Sequence, residues 1–120
     1  MKKILIVNAN YYNDITKNLV FSASKILKKK KFKIYVLDVA GVFELPLAIR
    51  KNINRYDAFI AIGCVIKGKT PHFDLICKSS FDAIMNLSIN YNKPIGNGII
   101  TALSRKQALE RSRKINSKKL

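Results

Sequence analysis

The stretch Ile4-Leu5-Ile6-Val7, bounded by Asn8 and Asn10, predicts how the chain begins its fold. A short, continuous apolar run between polar residues is typical of a strand that is buried on both faces of a parallel sheet. Residues 15–31 then repeat apolar side chains every three or four positions, and lysines gather at the end of this segment. That pattern indicates an amphipathic helix whose last turn complements the helix dipole. Together the two segments predict a strand-helix unit of an α/β protein.

The same alternation continues along the rest of the chain. Strands are predicted at residues 32–39, 56–62 and 94–101, with helices starting near residues 44–46, running from 70 to about 91, and from 104 to about 114. In the helix predicted from residue 70, Thr70 is the expected N-cap and Pro71 the first helical residue. The expected fold is α/β, a three-layer sandwich of a four-stranded parallel sheet flanked by helices on both faces. Residues 1–120 are expected to form a single domain, with residues 112–120 as a basic tail.

Composition narrows the class of protein. Its 23 Lys and Arg against 7 Asp and Glu give a formal charge of +16, which invites a nucleic-acid interpretation. The 48% hydrophobic content excludes the possibility that the chain as a whole is a disordered basic segment. Lysine makes up 18 of the 23 basic residues, and the abundance of Lys, Asn and Ile is what AT-rich coding favours.

Other sequence signals point to a cytoplasmic protein. The apolar runs are too short for a membrane span, and residues 4–7 are too short for the apolar core of a signal peptide. Cys64 and Cys77 form no CxxC pair, which argues against a disulfide framework or a zinc site.

Residues whose side chains can bind a ligand or transfer a proton are found where the predicted strands end. This is where open parallel sheets bind ligands. The four predicted ends are residues 8–12, 40–44, 63–72 and 97–101. They contain the only histidine, one of the two glutamates and a pair of tyrosines. We therefore expect a ligand site at this edge of the sheet.

The longest of these loops has the features of a phosphate site. Gly68 allows a turn between Lys67 and Lys69, which supply positive charge. The free N–H groups of a helix that starts at Pro71 attract anions. His72 lies in the first turn of that helix, where an imidazole can take up and return a proton near neutral pH. A histidine at this position can equally cap the helix or face solvent.

Three further residues each allow two interpretations. Glu44 either complements the helix dipole or accepts hydrogen bonds from a polyol beside an apolar wall of Val42 and Phe43. Tyr11, with the tyrosine after it, is either a core aromatic or a stacking platform for a flat ring. Arg111, one of five arginines, is either a solvated surface charge or a bidentate phosphate ligand.

Three sequence blocks occur in order along the chain: Gly41-Val-Phe-Glu44-Leu-Pro46, Gly63-Cys-Val-Ile-Lys-Gly-Lys-Thr-Pro-His72-Phe-Asp74 and Gln107-Ala-Leu-Glu-Arg111. With Tyr56-Asp57-Ala58 before the third strand, they resemble the 6,7-dimethyl-8-ribityllumazine synthase family of riboflavin biosynthesis over nearly the whole chain. The resemblance implies a flavodoxin-like strand order.

The resemblance also implies an activity. In that family 5-amino-6-(D-ribitylamino)uracil condenses with 3,4-dihydroxy-2-butanone 4-phosphate, releasing phosphate and water, with neither a metal nor an organic cofactor. The resemblance assigns proton transfer to His72 and ring stacking to Tyr11. The residues that it assigns to the ribitylaminouracil are Tyr11, Val42, Phe43, Glu44, Cys64, Val65, Ile66 and Asn97, of which Cys64 to Ile66 act through their backbone. Those that it assigns to the butanone phosphate are Lys69, Thr70 and Arg111.

The sequence departs from the family pattern at several positions. Asn10 stands where Arg is common, Ala40 where Pro is usual, Lys69 where Glu or Ala is usual, and Asn97 where Phe is frequent. From the first and last residues of the sequence, we expect no counterpart of the family's N-terminal extension and final helix. The expected assembly is a homopentamer whose sites lie at subunit interfaces, with Arg111 and Asn97 coming from the neighbour, and a larger assembly stays open.

Two other functions are compatible with the sequence. One is a basic α/β module that binds RNA or another polyanion, including a relative that has lost catalysis; the other is a purely structural shell protein. The lysines are not interleaved with exposed aromatics and no RNA-binding signature is present. The expected partners are therefore two small-molecule substrates and further copies of the chain, without a membrane, and with nucleic acid bound only nonspecifically.

Overall fold

The structure, a computed structural model, describes residues 1–68 and 72–117, with side chains described as far as Ser112. Along the chain the elements are β1 (Lys3–Ala9), α1 (Asn13–Lys29), β2 (Lys33–Val39), a 3-10 turn (Val42–Glu44), α2 (Leu45–Lys51), β3 (Ala58–Ile66), α3 (His72–Tyr91), β4 (Ile95–Ala102) and α4 (Arg105–Ser117). The predicted alternation of strands and helices is confirmed.

The four strands form one parallel sheet in the order β2-β1-β3-β4. This confirms the three-layer α/β class and the flavodoxin-like order. β1 lies inside the sheet with β2 and β3 on either side, and its residues from Ile4 to Ala9 are buried. A strand that is covered on both faces needs apolar residues at successive positions, which explains its uninterrupted run.

The two faces of the sheet carry separate cores. On one face Leu45 and Ile49 of α2 and Ile84 of α3 pack against Leu5 and Val7 of β1. On the other face, α1 and α4 cover the alternate strand residues; the buried members of that core include Ile6, Ile15, Leu19, Ile62 and Ala108. Because α1 and α2 lie on opposite faces, the chain changes direction between β1 and β3. A crevice at the carboxyl ends of these two strands is the expected binding position in such a sheet.

Two predicted boundaries were wrong. β3 continues to Ile66, so that Cys64, Val65 and Ile66 belong to the strand and not to the following loop. The reason is long-range pairing: β4 pairs with β3 as far as Ala102 opposite Ile66, and Lys67 N donates to the Ala102 carbonyl at 2.9 Å.

The last helix also extends further than predicted. α4 continues to Ser117, so the predicted tail does not begin at residue 112. Ser112 is fully buried, and its Oγ donates a hydrogen bond to the Leu109 carbonyl at 2.8 Å. Residues 118–120 of the predicted tail lie outside the described residues, as do Thr70 and Pro71 of the predicted helix start.

Candidate functional site

The 3-10 turn packs on Gly63 of β3, beside Ala9 at the carboxyl end of β1. A Cβ added to Gly63 of β3 would lie 2.7 Å from Val42 Cγ2 and 3.3 Å from Ala9 Cβ. Gly63 is therefore required here for close packing, since its φ is not positive. The contact fixes the turn at the point between β1 and β3 where the fold predicts a ligand crevice.

The turn separates an anchoring residue from two outward-facing ones. Val42 is buried, whereas Phe43 is 67% exposed and Glu44 is exposed. Glu44 N donates to the Gly41 carbonyl at 3.1 Å, and the side chain folds back so that its Oε1 would lie 3.3 Å from a Cβ at Gly41. An apolar ring and a carboxylate are thus presented side by side, a combination suited to a ligand with both a flat ring and hydroxyl groups.

Two tyrosines follow β1 at the same edge. Tyr11 is 77% exposed and Tyr12 is half-buried at the start of α1, with their rings edge-to-face and 4.9 Å between centroids. Burial raises the pKa of the Tyr12 phenol above its usual value, and the negative form of Tyr11 would raise it further. Tyr11 is the ring that is free to stack on a ligand.

The end of β3 offers backbone rather than side chains. The β1–β3 ladder stops with Asn8 opposite Ile62, whereas β4 pairs with β3 as far as Ile66. Beyond Ile62, the edge of β3 that faces β1 is therefore not paired with β1. The backbone amide and carbonyl groups on that edge are available to a planar ligand. The side chains of Val65 and Ile66 pack on opposite cores.

Cys64 is buried in the core beneath α1 and α4. Burial raises the pKa of its thiol to about 11, while Arg105 lowers it in part and Asp14 raises it. The thiol is therefore protonated and shielded at neutral pH, which disfavours a nucleophilic role. This agrees with a contribution from its backbone alone.

His72 is the first residue of α3 and is exposed. One turn later Ile76 packs against the same core as Val42, which places the start of α3 and the 3-10 turn on the same side of the sheet. Lys69 and Thr70, the predicted phosphate ligands, lie outside the described residues.

The structure does not bring Arg111 and Asn97 into the same cluster. Arg111 lies on α4, on the opposite side of the sheet from His72, and its guanidinium donates to the Thr101 carbonyl of β4. Asn97 is the third residue of β4, about 16 Å before the end of that strand. Its placement at the strand's carboxyl end was wrong, because pairing with β3 continues to Ala102. Its Oδ1 accepts a hydrogen bond from Ile99 N at 3.0 Å.

Sequence reasoning missed two polar pairs near the site. Asn8, buried at the end of β1, donates through Nδ2 to Asp38 Oδ1 at 3.1 Å. Arg105 and Asp14 form an ion pair that joins the starts of α4 and α1. The sequence signal for Asn8 was its position as a polar residue at the end of a buried apolar run. Its partner Asp38 could not be predicted, because the pairing depends on the register between β1 and β2.

Residues 1–68 and 72–117 contain no cluster of three or more His, Cys, Asp or Glu placed to hold a metal ion. None of the helices in that part is long and apolar enough to cross a membrane.

Comparisons with known proteins agree on one family. Residues 1–119 match the family model for 6,7-dimethyl-8-ribityllumazine synthase. The protein of that name from Methylorubrum populi is 38% identical over 118 residues, which is 92% of this chain and 70% of the relative. The Bartonella tribocorum protein of the same name is 36% identical over 119 residues, covering 97% of this chain and 79% of the relative. The Campylobacter jejuni subsp. doylei protein of the same name is 38% identical over 115 residues, which is 92% of this chain and 75% of the relative.

Proposed function

The chain belongs to the 6,7-dimethyl-8-ribityllumazine synthase family, and we propose that the carboxyl edge of its sheet is the active site. As a member it is a transferase of riboflavin biosynthesis, which condenses 5-amino-6-(D-ribitylamino)uracil with 3,4-dihydroxy-2-butanone 4-phosphate. The observation that carries the location is the packing of Val42 on Gly63, which holds the 3-10 turn over the ends of β1 and β3. The same assignment favours the enzyme over a polyanion-binding module.

The pyrimidine ring occupies the crevice between β1 and β3. Tyr11 is exposed there and stacks on the ring, which is the usual geometry for two flat π-systems. The backbone of residues 63–66, on the side beyond the β1 ladder, donates to and accepts from the polar edge of the uracil. Fixed backbone groups give this recognition at little conformational cost.

The ribityl chain runs along the 3-10 turn. Its hydroxyls donate to the Glu44 carboxylate, and its carbon chain lies against Phe43. Hydrogen bonds to an ionised acceptor are about twice as strong as neutral ones, so one carboxylate suffices to orient the chain.

The butanone phosphate binds between the start of α3 and a guanidinium. Lys69 and Thr70 precede α3 in the sequence, and the N–H groups at a helix start favour a phosphate. Arg111 supplies a planar donor set, of which one N–H is held by the Thr101 carbonyl. Anchoring the phosphate in this way also stabilises it as a leaving group.

His72 moves the protons. Imine formation, phosphate loss and ring closure each need a proton taken up or returned, and an imidazole exchanges protons near neutral pH. Because both substrates are held in place by the surrounding contacts, much of the remaining acceleration comes from their orientation.

The active protein is a homo-oligomer, with a pentamer as the proposed size. Its sites are shared, so that His72 of one subunit works with Arg111 and Asn97 of the next. The support is that Arg111 and His72 lie on opposite sides of the sheet within one chain. In addition, α3 exposes Leu75, Met85 and Ile89, each at least 59% exposed, which is a large apolar surface for a subunit to leave open.

Formation of the lumazine from the two substrates tests the activity. We expect product and inorganic phosphate in equal amounts above a protein-free control, and no acceleration when the butanone lacks its phosphate. Folded protein that does not exceed the control would contradict the proposal.

Mixing two impaired variants tests the shared site, at a butanone phosphate concentration well below the KM of either variant. Subunits carrying His72→Ala and subunits carrying Arg111→Ala are unfolded together and refolded. We expect activity to return in the mixture, because some interfaces then combine an intact His72 with an intact Arg111. A mixture no more active than the average of its two components would show that both residues act within one chain.

A further inference from the structure

The positive charge of the chain is concentrated at the end of the sheet opposite the active site. This surface, the basic edge, consists of the basic residues in four segments: residues 2–3, 28–33, 50–55 and 93. It holds eleven of the 23 basic residues, and among the described side chains Asp57 is the one acidic residue placed beside it. Ten of the sixteen excess positive charges of the chain thus lie at one end of the molecule.

Helix dipoles and coding bias do not explain this concentration. Lysines in the last turn of α1 complement its dipole, but Lys2, Lys33 and Lys93 belong to no helix. Coding bias raises the number of lysines without moving acidic residues away from them. Within the described residues the two ion pairs, Lys78–Asp82 and Arg105–Asp14, both lie elsewhere, so the charge of the basic edge is not neutralised internally.

A cavity of about 490 Å³ opens on the basic edge, beside the starts of β1, β3 and β4. Its lining residues include Phe32, with Lys2 and Lys93 as the cationic residues and Asp57 as the acidic one. A volume of this size lies within the usual range for small-molecule sites. The cavity therefore adds a concave, partly aromatic element to a strongly positive surface.

Hydrogen bonds hold the rim of this cavity in place. Lys93 Nζ donates to the Tyr56 carbonyl at 2.8 Å, and the Lys93 carbonyl accepts from Ser88 Oγ at 2.7 Å. Asp57 Oδ2 accepts a hydrogen bond from Lys3 N at 2.7 Å, so part of its acceptor capacity is already used. The cavity is thus a fixed feature of the fold, and its negative group is engaged by the backbone.

We propose that the basic edge binds single-stranded nucleic acid, with one base in the cavity against Phe32 and the phosphates along the lysines. Proteins that bind single strands combine a positive groove with aromatic rings on which bases stack. An anionic membrane is a less suitable ligand for the basic edge, because proteins that bind a bilayer surface insert exposed apolar side chains into it. The large exposed apolar side chains lie mostly elsewhere, as at Tyr11, Phe43 and Leu103.

The proposal is tested by titrating the full chain with a fluorescent 20-nucleotide oligouridylate and with oligothymidylate of the same length, at several salt concentrations. Both carry the phosphates and bases that the basic edge recognises, so binding to both is expected. The test variant is Lys30→Gln/Lys31→Gln, and the matched control is Lys17→Gln/Lys106→Gln, which removes the same charge from other exposed positions. Losing two phosphate contacts lowers the salt slope by about 1.4 and weakens binding about 25-fold at 0.1 M salt.

A second variant tests the cavity itself. Phe32→Leu keeps an apolar side chain but removes the flat ring, and we expect binding to weaken about 5-fold or more while the circular dichroism spectrum is unchanged. Lumazine formation should be unaffected by all of these substitutions, since none of them touches the active site.

Three results would overturn the proposal. The first is equal weakening by the test and control pairs, which would mean diffuse attraction to net charge. The second is unchanged affinity for Phe32→Leu, which would remove the base from the cavity. The third is binding to vesicles of anionic phospholipid without binding to either oligonucleotide.

Discussion

Replacement of Gly63 by alanine tests how the active site is held together. The new Cβ would lie 2.7 Å from Val42 Cγ2, whereas carbon atoms in ordinary contact are 3.5–4.0 Å apart. Both groups are buried, and Ala9 Cβ at 3.3 Å closes the other side. The 3-10 turn must therefore move by roughly an ångström, or the strand must bend.

The expected cost follows from overpacking of a well-packed core, which is typically about 1–3 kcal/mol. At a urea dependence of about 2 kcal/mol per molar, the unfolding midpoint falls by about 0.5–1.5 M. Because Phe43 and Glu44 belong to the displaced turn, KM for the ribitylaminouracil should also rise. The measurements are urea unfolding followed by circular dichroism and steady-state kinetics.

Two matched variants identify the cause. Gly96→Ala places a Cβ 3.7 Å from Ile60 Cγ1, an ordinary contact, so it should leave stability within about 0.5 kcal/mol or raise it slightly. Val42→Ala removes the clashing methyl, so the Gly63→Ala/Val42→Ala double variant should recover at least 1 kcal/mol relative to the sum of the single effects. If the Gly63→Ala variant had the same stability and the same KM as the Gly96→Ala variant, the reasoning would be refuted.

Three further predictions concern individual side chains. His72→Ala should lower kcat about 10²- to 10⁴-fold with KM and stability nearly unchanged, since the side chain is exposed; an equal loss in binding affinity by calorimetry would contradict a proton-transfer role. Arg111→Ala should raise KM for the butanone phosphate about 10-fold or more, measured against Lys106→Ala on the same helix, and wild-type kinetics would remove Arg111 from the site. Burial raises the pKa of the Cys64 thiol from about 9 to about 11, so the stabilising effect of the neutral thiol is present below pH 9 and is lost between pH 9 and 11. The unfolding free energy of wild type should therefore approach that of Cys64→Ala as pH rises, and a constant difference would argue against the shift.

The architecture could be predicted from the sequence because its signals are local. The apolar run of β1 and the helical periodicity after it lie within single segments, and strand-helix alternation permits few topologies. The end of β3 could not be predicted in the same way. Residues 64–66 are strand because β4 pairs with them, and that pairing joins segments more than thirty residues apart.

Part of the candidate site was predictable for the same reason. Tyr11, Val42 and Glu44 directly follow predicted strands, so the rule for parallel sheets placed them at one edge. Asn97 was misplaced because residues 97–101 were counted as the end of the strand, whereas all five lie inside β4, which ends at Ala102. The Asn8–Asp38 hydrogen bond depends on the register between β1 and β2, which no pattern within either segment reveals.

A crystal structure of the protein with 5-amino-6-(D-ribitylamino)uracil tests the central claim most directly, because the claim is a location. We expect the pyrimidine ring against Tyr11, its polar edge on the backbone of residues 63–66, and the ribityl chain on Glu44. A ligand bound away from the ends of β1 and β3, for example in the cavity beside Phe32, would contradict this account of the active site.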